Sequence, residues 1–217
     1  MKLTPRSTSD LLPKPLLTVG LGLFMMSIAG CQPAAESAPT QPAQAVASAQ
    51  QAFMQQFSAY CGQAFVGQVM VDDSNDPVWQ VPIVMHIRDC APNEVKIPLH
   101  VGDDRSRTWV ISTTATGLQL QHIHLHQDGS PDAVSPYGGH TIDAGTATTQ
   151  QFPVDEASKD LFAEHSLLAS QQNTWHAGFP TPTSFSYKLT RPGREFEVHF
   201  DLTQPVPVPP PAWGYTP

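Results

Sequence analysis

Through the middle of the chain, apolar and polar residues alternate in short runs, the period-2 signature of half-buried strands. In the run 81–89, Ile83, Met85 and Ile87 alternate with more polar neighbours, and the same pattern marks 64–71, 95–101, 107–113, 117–126, 173–177, 184–189 and 195–202. Between the runs lie turn signals: "DDSNDP", "APNE", "GDDRS", "ATG", "DGSPD" and "RPGR". Connections this short favour antiparallel neighbours. Two stretches change period. Ala52, Phe53, Phe57 and Tyr60 stand at helical spacing before Cys61 and Gly62, where glycine suits a helix stop. "VDEASKDLFAEHSLL" predicts a second short helix, capped by Asp155 or Ser158, with Leu161, Phe162 and Leu168 on its apolar side.

These elements predict one mainly β (α+β) domain over residues 50–204, with two short helices. An antiparallel barrel of lipocalin-like shape is the first expectation because closure removes edge strands; a two-sheet sandwich is the alternative. Residues 205–217 read as a polyproline-type tail that straps the domain or stands exposed.

The N-terminus sets the compartment. Lys2, Arg6 and Lys14 precede an apolar run, 16–29, which is short for a membrane span and suits a secretory signal. Ile28, Ala29, Gly30 and Cys31 close that run as a bacterial lipobox does. Residues 1–30 are then expected to form the signal and Cys31 to carry lipid; by resemblance to Gram-negative lipoproteins, a residue other than Asp after the cysteine, here Gln32, implies outer-membrane delivery with the chain facing the periplasm. Residues 31–49, rich in Ala, Gln, Pro and Ser and without aromatics, read as a flexible tether reaching on the order of 20 to 25 Å.

Three cysteines are present in all. With Cys31 assigned to lipid, Cys61 and Cys90 remain to pair in an oxidising compartment. No CxxC occurs, so thiol redox chemistry has no sequence support. Losing Lys2, Arg6, Lys14 and Asp10 with the signal takes the net charge from −8 to −10. A chain so acidic is unsuited to nucleic acid, which demands a basic surface, and membrane attachment falls to the lipid.

Candidate chemistry centres on "LQLQHIHLHQDG", in which Leu118, Leu120, His122, His124, His126 and Asp128 share one strand face. A turn centred on Thr116-Gly117 would set Ile111 opposite His122, Trp109 opposite His124 and Arg107 opposite His126. That face would grade from apolar to Trp, Arg and His, like a core opening into a polar mouth. Arg107, Trp109, His124 and His126 are therefore the candidate ligand-binding residues. Alternate strand residues lie about 6.6 Å apart, so two of the three histidines could share one metal ion and a third ligand must come from elsewhere. His122 and His124 with His140 make the candidate set for zinc or copper; Asp128 is the other candidate third ligand. His86, His100 and His199 are expected to be solvated. No GxSxG, HExxH, phosphate loop or dinucleotide fingerprint occurs.

"YCGQAFVGQV", "VMHIRDC", "IPLHVGDDRSRTWVI", "HIHLHQDGSPDAV", "YGGHT", "GTATTQQFP" and "FDLTQPVPVPPPAWG" resemble an uncharacterised family of proteobacterial secreted proteins and lipoproteins. The resemblance spans nearly the whole domain and implies a class without an activity. The first functional expectation is a non-enzymatic, lipid-anchored module that binds a small ligand or an envelope partner, with no cofactor. The alternatives are a metal-binding protein or metal-dependent hydrolase built on the His122/His124/His126 strand, and a structural envelope lipoprotein.

Overall fold

The computed structural model describes residues 42–215; the segments expected to be the signal, the lipobox with Cys31 and most of the tether lie outside them. Helix α1 (Pro42–Gln56) starts earlier than the aromatic spacing predicts, so the last residues assigned to the tether are helical. Pro at a first helical position is pre-organised for the turn, and the Ala- and Gln-rich sequence after it consists of good helix formers.

The strands follow as β1 (Ala64–Asp72), β2 (Ile83–His86), β3 (Asp89–Ala91), β4 (Glu94–Val101), β5 (Asp104–Thr114), β6 (Gly117–His124), β7 (Tyr137–His140) and β8 (Thr149–Pro153). After helix α2 (Glu156–Glu164) come β9 (Thr174–Thr181), β10 (Ser184–Arg191) and β11 (Arg194–Val206). They pair antiparallel in the order β7-β6-β5-β4-β2-β1-β11-β10-β9-β8, with β3 beside β4. A bridge between Gly139 and Val154 brings the two end strands together. The chain thus adopts a nearly closed barrel of ten strands and not the two-sheet sandwich.

The seam between β7 and β8 depends on residues that alternation does not reveal. A Cβ on Gly138 would overlap the Leu120 carbonyl oxygen of β6, and one on Gly139 would overlap the Pro153 carbonyl oxygen of β8. Only glycines let β7 slot between its neighbours. On the open side the Gly138 N–H donates to Ser158 Oγ (2.7 Å) and its carbonyl accepts from the Asp155 N–H (3.1 Å). The first turn of α2 therefore satisfies backbone groups that a missing strand would otherwise orphan. Asp155 is the α2 cap, accepting from the Ser158 N–H at 2.8 Å.

Alternate residues fill the interior: Phe65, Ile83, Met85, Ile97, Ile111, Leu120, Phe185, Val198 and Phe200 are all fully buried. Each contributes about 1.5 to 3 kcal/mol relative to exposure. α1 plugs one end. Phe53 and Phe57 meet Phe179 and Phe185 edge-on at 5.0 to 5.8 Å, and Gln50 donates to Thr141 Oγ1 (3.0 Å). Just beyond the helix, Cys61 and Cys90 form the predicted disulfide across 29 residues, tying the plug to β3. The chain-entropy argument gives roughly 3 to 4 kcal/mol for a loop of that size.

The C-terminal tail is a strap. The Trp213 N–H donates to the Arg105 carbonyl (3.0 Å), Arg105 Nη1 donates to the Pro211 carbonyl (3.2 Å), and the Arg88 guanidinium lies 3.7 Å over the Tyr215 ring. The expectation that His100 is solvated is corrected, since it is only 5% exposed. It sits on the outer face of β4, beside Val84 of β2 in register, with Arg105 and His86 among its titratable neighbours. Sequence parity gives the face correctly and does not give the burial of that face.

Candidate functional site

Opposite the helical plug the barrel encloses a cavity of about 350 Å³, a size that suits small-molecule ligands. The inward positions nearest this end supply its walls: Arg107 and Trp109 on β5, His122 and His124 on β6, Tyr137 on β7, Trp175 on β9, Tyr187, Leu189 and Arg191 on β10, Arg194 and Phe196 on β11. Trp79, from the β1–β2 connection, and Phe162, Leu167, Ser170 and Asn173, from α2 and the segment after it, complete the rim.

The β5–β6 register explains how Trp109 and His122 meet. Trp109 pairs with His122 and Arg107 with His124, each one pair away from the expected register. The two-residue turn is Ala115-Thr116, and Gly117 is the first residue of β6. Gly117 has φ +146°, and a Cβ there would overlap Thr141 Oγ1. The glycine serves the packing of Thr141 and Gln50 rather than the centre of the turn. Because the slip is an even number of residues, the inward face is unchanged.

Aromatic rings form most of the wall. Trp109 stacks on Tyr187 with centroids 4.1 Å apart and planes at 14°; His122 stacks on Tyr137 at 4.8 Å and 9°. Trp175 closes on His122 at 4.9 Å, and Phe162 on Tyr137 at 5.2 Å. His122 is 3% exposed, and its Nε2 lies 2.6 Å from the Tyr187 hydroxyl. Its Nδ1 is buried without a hydrogen-bond partner. Burial, with the neighbouring His124 ring, lowers the His122 pKa to about 3, against a smaller opposing effect of the Tyr137 backbone. Burial raises Tyr137 to about 12 and Tyr187 well above its ordinary value. All three are neutral around pH 7, and a histidine so weakly basic is mismatched to general-base work there. Burial and the Arg107 charge also lower His124.

Charge enters through three arginines. Arg107 is paired with Asp104, and Arg194 donates to Asp72 and Asp73, both at 2.7 Å. Arg191 donates from Nη1 to two neutral oxygens, Ser170 Oγ (3.0 Å) and Asn173 Oδ1 (3.2 Å). The lining acid, Asp132, belongs to the opposite wall, where it and Asp104 act on the His124 ring.

Of the ligand residues expected from sequence, the fold brings Arg107, Trp109 and His124 into this cavity. His126 stays outside it, in the β6–β7 connection, with its N–H on the Ser130 carbonyl (2.8 Å). The expected metal set is not gathered. His140 pairs with Gln119 on the outward parity of β6 and lies 3.7 Å from the Asp155 carboxylate, while His122 and His124 point inward. Among the described residues no three His, Cys, Asp or Glu side chains are placed to hold one ion. Sequence reasoning missed Trp175, Tyr187, Arg191 and Arg194. A signal was present: Phe185, Tyr187, Leu189 and Arg191 share a parity, as do Arg194, Phe196, Val198 and Phe200.

No family model matches the chain, and no curated protein matches it. Among solved structures it is similar to a redesigned β barrel at 10% identity, with a TM-score of 0.28, over 67% of this chain and 93% of that one. That likeness carries no functional argument.

Proposed function

We propose that the domain is a binding module for a small ligand with a largely apolar body, carried at the outer membrane by a lipid on Cys31. One observation carries the first half: a barrel packed solid at its plugged end keeps a cavity of about 350 Å³ at the other, walled by stacked aromatic rings. Close packing is the default of protein interiors, and rings already fixed by one another lose little entropy when a ligand enters. His122, Tyr137 and Tyr187 are neutral there, and His122 Nε2 is already engaged with the Tyr187 hydroxyl, which suits holding a ligand more than attacking it.

Melts of the mature domain against a panel of aromatic and aliphatic small molecules test this reading. A ligand at a hundred times its dissociation constant adds about 2.7 kcal/mol of stability. Leu189→Trp, which places a larger side chain in the cavity, should remove that gain while leaving a folded barrel. Uniformly flat melts for the wild type would overturn the ligand reading.

The anchor rests on "SIAGC" closing the apolar run of the signal and on the pairing of the other two cysteines with each other. Among the described residues no helix is long and apolar enough to cross a membrane. Cys31→Ser should abolish acylation and release processed chain from the membrane fraction, with the Cys61–Cys90 bond intact. An unmodified N-terminus on wild-type protein recovered from membranes, read by mass spectrometry, would refute it.

A further inference from the structure

Arg191 differs from the other two arginines of the cavity in having no carboxylate partner among the described residues. A guanidinium carries five N–H donors and a charge that no accessible pH removes. Both of its hydrogen bonds leave from Nη1 and end on neutral oxygens. Among the described residues no carboxylate stands within ion-pair distance of it, whereas Arg107 has Asp104 and Arg194 has both Asp72 and Asp73. Its Nε–H and Nη2–H groups, like those of Arg107 and Arg194, have no partner among those residues and form the edge whose two parallel donors match a carboxylate; only at Arg191 is the charge behind that edge unpaired. Ser170 and Asn173 meanwhile hold the group against one wall, Asn173 itself being 5% exposed.

From this we infer that the cavity takes a monoanion with a flat apolar body, an aromatic carboxylate, whose charged end is received by the Nε/Nη2 edge of Arg191. The inference rests on the cavity being a ligand site and names what that ligand must carry. At its own end of the cavity the unpaired Arg191 calls for one negative charge. The body lies among Trp109, Trp175, Tyr187 and the His122–Tyr137 stack, where rings with two flexible torsions present rigid apolar faces. Asp132, across the cavity with Arg107 and His124, opposes the reverse orientation, because an anion placed there would meet a like charge.

The test uses matched pairs in which only the charge changes: indole-3-acetate with indole-3-acetamide, and 2-naphthoate with 2-naphthamide, titrated into the mature wild-type domain by tryptophan fluorescence and calorimetry. The acids should bind roughly ten- to a hundredfold tighter than the amides, the worth of one charge-assisted hydrogen-bonded contact. Arg191→Gln should erase that preference, with Arg191→Lys restoring part of it. Added salt should weaken the acids and spare the amides in wild-type protein, a readout that stands even if the Arg191 variants fold poorly. Equal binding of acid and amide would overturn the anion inference and leave the cavity reading intact. A preference that survives Arg191→Gln in a folded protein would refute the assignment to Arg191. Failure of every acid and amide to bind, even weakly, would overturn the aromatic-carboxylate inference, whereas the cavity reading falls only with flat melts across the wider panel.

Discussion

Replacing Gly139 with valine is expected to lower the stability of the domain by about 3 to 5 kcal/mol, enough to take much of the margin of a protein this size. The new Cβ would overlap the Pro153 carbonyl oxygen and stand 2.7 Å from its carbon and 3.0 Å from the Phe152 carbonyl oxygen. Those are backbone atoms of β8, so no rotamer relieves the overlap; β7 and β8 must separate. Separation also removes the bond between the Asp155 N–H and the Gly138 carbonyl, and with it the seat of α2. Gly193→Ala is the control, since its φ of +70° strains a non-glycine residue but nothing lies within 4 Å of the added atom. That change should cost only about 1 kcal/mol. Urea titrations read both, and a Gly139→Val midpoint within the error of the wild type would show that the seam is not closed as described.

The same pair of glycines explains what the sequence conceals. Strands β1, β2, β4, β5, β6, β9, β10 and β11 were legible because the inward face of each is apolar, so Ile97 and Leu99 or Phe185 and Tyr187 repeat at every second residue. β7 reads "YGGH" and β8 reads "TQQFP", neither of which has strand composition. Both form because neighbouring backbone is near enough to pair, a tertiary cause outside the reach of local propensity. The site divides along the same line. Trp109, Arg107 and His124 were found because a histidine run drew attention to one hairpin. Arg191 and Arg194 were missed because each ends a strand whose aromatic parity points inward, and only barrel closure carries those ends to the far side of Trp109. The apparent metal cluster came from strand parity alone. Parity placed His122 and His124 together correctly, while His140 required knowledge of which face β7 turns outward.

The second large effect is a loss of stability in acid that belongs to one residue. His122 has an ordinary pKa of 6.5 and a folded value of about 3 because burial penalises its charged form. Between those values the unfolded chain binds a proton that the folded one refuses, so stability is fully present above pH 6.5 and falls as pH drops through the window. At pH 4 the loss from this group is roughly 3 kcal/mol, from 1.36 kcal/mol for each unit between 6.5 and 4. His86, His100, His124 and His176 are also lowered, and the ion-paired Asp72, Asp104 and Glu197 are lowered as carboxylates. All of these act in the same direction, so the steepness of the wild-type profile does not isolate His122. His122→Phe does, because it keeps a ring between Tyr137 and Trp175 and removes the titrating group. It also strips the Tyr187 hydroxyl of its 2.6 Å partner, a cost present at every pH that shifts the whole curve and leaves its slope. The variant should therefore be less stable than the wild type near pH 8, and its urea-derived stability should fall between pH 7 and pH 4 by roughly 3 kcal/mol less. Parallel profiles would mean that the His122 ring is solvated and protonated in the folded barrel, and the closed aromatic wall described for the cavity would be wrong with it.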